Sequence, residues 1–231
     1  AAMLQQISWK IGGQQGEGIE SAGELLATGL NQLGYYLYGY RVFSSRIRGG
    51  HTNYNIRVSS VPIASVADRI DVLIALDQET IALCAREVHN GGLILADSSF
   101  SPVLPEALQV SMVSVPLAEL AAKAGSAKMK NVAAVGMTVA MLGLAATKWE
   151  KPLNEEFAPK GDKILQENLA SLQNGWDYAM TMTDFAGRWK MDAGDGIPRL
   201  YVIGNETISR GAVAAGAKFM AAYPITPASE I

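Results

Sequence analysis

Short β-branched runs alternate with helical repeats along most of this chain, and that rhythm confines it to an α/β architecture. Residues 4–11 read as a buried strand. The glycine-rich stretch 12–18 turns into a helix over about 19–33, with Ile19, Ala22, Leu25, Leu26, Leu30 and Leu33 on one packing face. Gly34 stops it. Further strands are expected over residues 35–42, 53–60, 72–76, 93–96 and 110–115, and helices over 78–88, 117–124 and 132–146. His89, beside Asn90-Gly91-Gly92, reads as a helix-end residue, and Pro102, Pro105 and Pro116 mark connections.

The rhythm then changes. Residues 149–189 are helical and more polar, and 191–198 cluster Gly, Asp and Pro as a linker does. Beyond it, residues 200–203 read as a strand, a helix opens near Asn205, and an Ala/Gly-rich turn leads toward a second strand. A lone unit of this size has no sheet to bury against, so the chain is expected to stop inside a domain. The expected organisation is residues 1–190, a linker at 191–198, and an incomplete second domain at 199–231.

Charge narrows the partners. The net charge of −3 argues against a general nucleic-acid binder. No Asp or Glu lies between Glu24 and Asp68 or between Glu119 and Glu150, yet Arg41, Arg46, Arg48, Arg57, Lys123, Lys128, Lys130 and Lys148 do. These hold eight of the 19 basic residues, a distribution that suits either an anionic ligand or solvated, partner-facing surfaces. The one cysteine, Cys84, excludes an internal disulfide and reads as a buried thiol in a reducing compartment. Residues 131–147 form the longest uncharged run, short of the roughly 20 strongly apolar residues of a membrane span. With no secretory leader at the start, a cytoplasmic protein off the membrane is expected.

Four motifs bear on chemistry. The glycines of IGGQQGEG follow a strand, but their G-G-x-x-G-x-G spacing departs from the dinucleotide fingerprint. Glu17 would face the phosphates, and no acid follows about 20 residues on to hold a ribose. In RIRGGH, Arg46 and Arg48 lie on one side of an extended backbone, and Gly49 and Gly50 let another group approach. Two planar guanidinium forks suit phosphate or carboxylate, structural salt bridges being the alternative. His51 is either an acid–base group or a hydrogen-bonded structural residue. Gly194-Asp195-Gly196 reads as a linker turn, since no asparagine follows at a distance that would complete a magnesium shell. In YPITPASE, two prolines flank Thr226 and preset its hydroxyl.

Taken together, IGGQQGEGIESAGELLATGLNQLGYY, FSSRIRGGHTN and GNE followed by YPITP resemble the 2-oxoacid:ferredoxin oxidoreductases, in the branch that fuses a γ-type domain ahead of the α-type domain. The likeness spans residues 7 to about 144 and 200–231. It implies a three-layer γ-type (swivelling) α/β domain followed by the first βαβ unit of a thiamine-diphosphate-pyrimidine-binding-type domain. It also implies oxidative decarboxylation of a 2-oxoacid, 2-oxoglutarate ahead of pyruvate, to an acyl-coenzyme A, with electrons passed to ferredoxin.

By the same resemblance, Arg46, Arg48, Gly49, Gly50 and His51 lie near the coenzyme A or substrate entrance. Tyr223, Pro224 and Thr226 would lie at the pyrimidine end of thiamine diphosphate, with Thr226 binding the oxoacid and its intermediate. One cysteine cannot hold a [4Fe–4S] cluster, which takes four thiolates. The cluster and the diphosphate–magnesium site are therefore expected on a β subunit, with no cofactor or metal bound to this chain. Two alternatives remain, a non-catalytic assembly or coenzyme A-binding module and an NADP-linked subunit using Arg41.

Overall fold

The computed structural model describes residues 3–44, 49–106, 108–223 and 231. The chain divides into two compact units, Ala1–Pro198 and Arg199–Ile231.

The first unit is built on a six-stranded sheet: β1 (Gln6–Gln14), β2 (Tyr36–Phe43), β3 (His51–Ser59), β4 (Ile70–Ala75), β5 (Val88–Asp97) and β6 (Ser111–Val115). Their spatial order is β2-β3-β1-β4-β5-β6. β1, β4, β5 and β6 are mutually parallel, while β3 runs antiparallel to both β1 and β2. Parallel neighbours need crossovers: the helix at Gln78–Cys84 supplies the one from β4 to β5, the path from β1 to β4 runs through the helix at Ile19–Gln32 and the β2–β3 hairpin, and β5 joins β6 through a loop that opens with the short 3₁₀ turn Ser98–Phe100.

The alternation of side chains along β1 divides the core in two. Ile7, Trp9 and Ile11 are fully buried and face the layer of α1 (Ile19–Gln32) and α4 (Lys130–Met141). Trp9 fixes that contact by donating its indole N–H to the Thr138 hydroxyl at 3.0 Å. α3 (Leu117–Ala124), α5 (Glu150–Phe157) and α6 (Asp162–Thr181) complete this layer, and Trp149 donates to the Leu25 carbonyl at 3.0 Å. Buried indoles need such partners, so both tryptophans register helices as well as fill space. On the opposite face, α2 (Gln78–Cys84) covers a smaller core of Leu73, Ala75, Ile81, Cys84, Ile94 and Ala96, flanked by Phe100, Leu104 and Met112. The result is three layers, the second helical layer being thin.

Three expectations need correction. β1 does not end at Ile11: Gly12, Gly13 and Gln14 stay extended because they pair with Asn53, Thr52 and His51 of β3. The helix expected over 78–88 stops at Cys84, and His89 is the second residue of β5, its Nε2 2.7 Å from Asp71 Oδ1. In the second unit, residues 200–203 form no strand; among the described residues only α7 (Gly204–Ala214) is regular there, and none of its residues is buried. A strand exists by its ladder, and the ladders of the six-stranded sheet include none of these four residues.

Residues 191–197 fold back onto the first unit. Leu4 and Met191 form a parallel bridge, and the Gly196 N–H donates to the carbonyl of Leu33 at 3.2 Å, just past the end of α1. Asp195 accepts the Ile197 N–H at 3.0 Å. The Gly-Asp-Gly turn thus closes a helix end.

Burial of Cys84 pushes its thiol up to about 11, with the nearby Lys10 ammonium opposing the shift. Alkylation proceeds through the thiolate. At pH 8 the native chain should react with iodoacetamide roughly a hundredfold more slowly than the urea-unfolded chain, as timed by intact mass. Equal rates would mean that Cys84 is accessible.

Candidate functional site

Connections from β1 and β4 leave the sheet on opposite faces, α1 on one and α2 on the other. Two adjacent glycines register this. A Cβ on Gly13 would stand 2.9 Å from Ile19 of α1, whereas one on Gly12 would stand 2.6 Å from Thr80 of α2 and 3.0 Å from the His51 ring. The C-terminal ends of β1 and β4 are therefore a topological switch point, where open α/β sheets leave a crevice for ligands.

The loop after β1 borders this crevice. Glu17 accepts the Gln14 N–H at 2.9 Å, and the Gln15 N–H donates to the Gly50 carbonyl at 3.0 Å, which ties the loop to the root of the β2–β3 hairpin. Lys130, first residue of α4, lies 2.9 Å from Glu17, donates to the Leu76 carbonyl at 3.2 Å and stands 3.8 Å from Asp97. Asp97 is wholly buried at the end of β5 and accepts hydrogen bonds from the Ser99 hydroxyl at 2.6 Å and the Ala118 N–H at 3.3 Å. Outside this cluster, Gly16, Glu17, Ala118, Ala127, Lys128 and Lys130 line an open cleft of about 420 Å³. Glu17 already takes one of the loop amides that a pyrophosphate would need, which argues against the dinucleotide reading on geometry as well as on spacing.

His51 sits on the other side of the switch point, buried. Thr80 donates its hydroxyl to Asp77 at 2.7 Å and so turns a lone pair toward His51 Nδ1, 3.5 Å away. Asn55 donates to Asn53 Oδ1 at 2.6 Å, which directs the Asn53 amide N–H toward His51 Nε2 at 3.4 Å. An acceptor at Nδ1 and a donor at Nε2 match the tautomer that carries its hydrogen on Nδ1. This is a structural setting for the imidazole, in a row that runs from Asp77 through Thr80, His51 and Asn53 to Asn55. Asp77 Oδ2 is buried with no hydrogen-bond partner among the described residues.

The sequence-derived residues fare differently. Gly49 is exposed with φ 67°, Gly50 is buried and His51 begins β3, so these three form the hairpin root beside the loop after β1. Tyr223 belongs to the second unit and is exposed. Arg46, Arg48, Pro224 and Thr226 lie outside the described residues. Of the other basic residues in the acid-free stretches, Arg41 binds Glu20 at 2.9 Å and Arg57 reaches Gln6 at 2.8 Å. The first contact occupies the guanidinium that the NADP reading relied on.

Sequence reasoning passed over Asp97 and gave Lys130 no role beyond its charge. Both carried a signal: an acid closing the apolar run LILAD, and a lysine opening the uncharged run at 131–147.

A parallel-centred sheet with a polar cluster at its switch point defines an α/β ligand-handling or assembly module. Comparison with known proteins narrows the class. The family described as pyruvate ferredoxin/flavodoxin oxidoreductase matches residues 8–178, and the chain belongs to it. The 2-oxoacid:ferredoxin oxidoreductase subunit alpha of Sulfolobus sp is 25% identical, over 97% of this chain and 41% of its own length. The chain thus spans about two fifths of that relative. Among solved structures, a 2-oxoglutarate:ferredoxin oxidoreductase from Magnetococcus marinus with 2-oxoglutarate, coenzyme A and succinyl-CoA bound is 26% identical with a TM-score of 0.87, covering 98% of this chain and 40% of that one. The gamma subunit of a keto/oxoacid ferredoxin oxidoreductase from Geobacter sulfurreducens shares the fold at 22% identity and a TM-score of 0.62, covering 76% of this chain and 97% of that one.

Among the described residues, no group of three or more His, Cys, Asp or Glu is placed to hold a metal ion, and no helix is long and apolar enough to cross a membrane.

Lys130 is the cation nearest to buried Asp97. Lys130→Met should lower unfolding stability by on the order of 3 kcal/mol, since it leaves a carboxylate buried without its countercharge. Urea denaturation measures this, and an unchanged midpoint would remove Lys130 from the cluster.

Proposed function

We propose that this chain is the γ-type portion, with the start of the α-type portion, of a 2-oxoacid:ferredoxin oxidoreductase α subunit. The complex oxidatively decarboxylates a 2-oxoacid to an acyl-coenzyme A and passes the electrons to ferredoxin. The match of the family over residues 8–178 carries this reading. The substrate is 2-oxoglutarate, a choice supported by the Magnetococcus marinus relative, which was solved with that acid bound. The domain division is that of the sequence reading: residues 1–190, the linker 191–198 and the incomplete unit 199–231.

This chain's own chemistry limits its share of the reaction. A [4Fe–4S] cluster needs four thiolates, whereas the single Cys84 is buried and held protonated at ordinary pH, so the chain does not fit the cluster. Asp195 accepts the Ile197 N–H in a turn whose Gly196 closes the end of α1, a setting that does not fit a magnesium-diphosphate site. Both groups are assigned to a partner β subunit. Thiamine diphosphate supplies the carbanion-stabilising chemistry when bound; Tyr223, Pro224 and Thr226 are the residues assigned to its pyrimidine end on motif grounds, Thr226 orienting the oxoacid.

Coenzyme A binding is the γ portion's contribution. Its phosphates call for fixed positive charge. Arg46 and Arg48 are assigned that role from their spacing and the family resemblance, together with Gly49, Gly50 and His51, which follow them in sequence at the start of β3. The cleft at Lys128 and Lys130 supports an anionic ligand at the same sheet edge, since the loop that borders it is hydrogen-bonded to Gly50. A second reading, an assembly module that binds no ligand, is favoured by the internal use of Arg41, Arg57 and Lys130.

The test uses the complete complex purified through a tag on this gene product. An iron-bearing partner chain should copurify, and viologen reduction should depend on 2-oxoglutarate and coenzyme A. Arg48→Glu should raise KM for coenzyme A or the oxoacid about tenfold, the loss expected for one charge-assisted contact. A wild-type complex without iron or oxoacid-dependent reduction would overturn the enzyme reading. An active complex whose KM values are unchanged in the variant would overturn only the role of Arg48.

A further inference from the structure

On the face of the sheet that carries α2, β3 buries two polar atoms with no hydrogen-bond partner among the described residues: Asn55 Oδ1 and Arg57 Nε. Asn55 is only 5% exposed and stands opposite Lys10 of β1 and Tyr40 of β2. Arg57 uses its other nitrogens on the Ser65 carbonyl at 3.1 Å and on Gln6 at 2.8 Å. Both residues line one small cavity of about 20 Å³, bordered by Tyr38, Tyr40 and Glu87. Glu87 is itself paired with Lys10.

The row from Asp77 to Asn55 has a direction. Asn55 donates to Asn53, Asn53 aims its amide N–H at His51 Nε2, and Thr80, having given its hydroxyl proton to Asp77, turns a lone pair to Nδ1. Cys84 Sγ lies 3.9 Å from Nε2 and can add a second donor there. Every donor in the row therefore points toward the Asp77 carboxylate. At the far end, Asn55 Oδ1 is an acceptor in need of a donor. Two positions along the same face, Arg57 Nε is a donor in need of an acceptor.

We infer that the cavity binds a single water molecule, which accepts from Arg57 Nε and donates to Asn55 Oδ1. It completes one polarised chain of hydrogen bonds from the Arg57 guanidinium to the Asp77 carboxylate. Size selects the ligand, since a water needs roughly 10–15 Å³ and at least two polar partners. Charge excludes ions: a cation would meet Arg57, and an anion would meet Asn55 Oδ1 and the Glu87 carboxylate. Two hydrogen bonds of about 2.9 Å let one water join groups just under 6 Å apart, close to the ~6.6 Å between same-face neighbours on a strand. Bonds aligned head to tail strengthen one another, and a cation at the donor end with an anion at the acceptor end favours this direction. The reverse direction, with both amides flipped and His51 carrying its hydrogen on Nε2, would take the Thr80 hydroxyl donor away from Asp77. The chain ties β3 to α2 at one end and to the β3–β4 connection at Ser65 at the other. It is independent of the proposed catalytic role.

Nitrogen NMR of the purified 231-residue chain reads both the direction and the water. The chain has two histidines, and His89→Gln assigns their signals. In the neutral His51 ring the Nδ1–H form should outnumber the Nε2–H form by roughly tenfold or more, as one misplaced buried hydrogen bond would cost. Free histidine has the opposite preference. The Arg57 Nε–H should show cross-relaxation with a long-lived water. Asn55→Leu should abolish that contact and lower the tautomer ratio about tenfold, and Thr80→Val, which removes the acceptor at the other end, should lower the ratio as well. The wild-type measurements decide the matter even where a variant fails to fold. A wild-type ring protonated on Nε2, an Arg57 Nε–H without a water contact, or an unchanged ratio in either folded variant would overturn the proposal.

Discussion

Space for a side chain is missing on both faces of the central strand at Gly12 and Gly13, and the site depends on that restriction. Thr80 and the His51 ring occupy the place where a Gly12 side chain would stand; Ile19, Leu76 and Glu17 occupy the place of Gly13. The helix layers can therefore close on the sheet edge from both sides. The loop after β1 then meets the hairpin root through Gln15 and Gly50, and Lys130 reaches Leu76 and Glu17. A methyl group at Gly12 would press on Thr80 and the His51 ring, whereas one at Gly13 would first displace the ends of the Glu17 and Ile19 side chains.

The electrostatics follow from the same closeness. Asp97 is buried entirely, a costly position for a carboxylate unless it is hydrogen-bonded and compensated. Ser99, the Ala118 N–H and Lys130 meet that need from three different segments. Lys130 in turn holds Glu17, whose carboxylate shapes the loop. The polar cluster is a coupled set, and the cleft beside it adds Lys128 to the Lys130 and Glu17 that the cluster already uses.

Composition and periodicity were enough to locate all six strands of the sheet and the helical stretches of the first unit: the central strands read as short apolar runs because they are buried on both faces, and α1 as a helix because it carries one apolar face. The limits of the reading have physical causes. Glycines usually signal turns, so Gly12 and Gly13 were taken out of the strand, although pairing with β3 holds them in it. The apolar run ending at Val88 continued the helical pattern of α2, yet Val88 and His89 pair into the sheet. At the candidate site, the hairpin motif was visible as a local string. The Asp77-Thr80-His51-Asn53 row and the Asp97-Lys130 pair were not, because their members come from segments 29 and 33 residues apart or more in sequence. Residues 200–203 carried the composition of a strand, but composition does not supply a ladder, and the sheet draws all its strands from residues 6–115.

The bridge between Leu4 and Met191 gives the first unit an unusual economy of connection. The path enters and leaves the sheet-bearing body side by side, with the returning segment fastened to the end of α1. A body of this form can be spliced into a longer polypeptide or encoded as a separate gene without rethreading its core. The same fold in a gamma subunit from Geobacter sulfurreducens that matches it over 97% of its own length is the free-standing form of that choice. A tether between such a body and a further portion would leave the fold intact and raise the local concentration of one portion around the other.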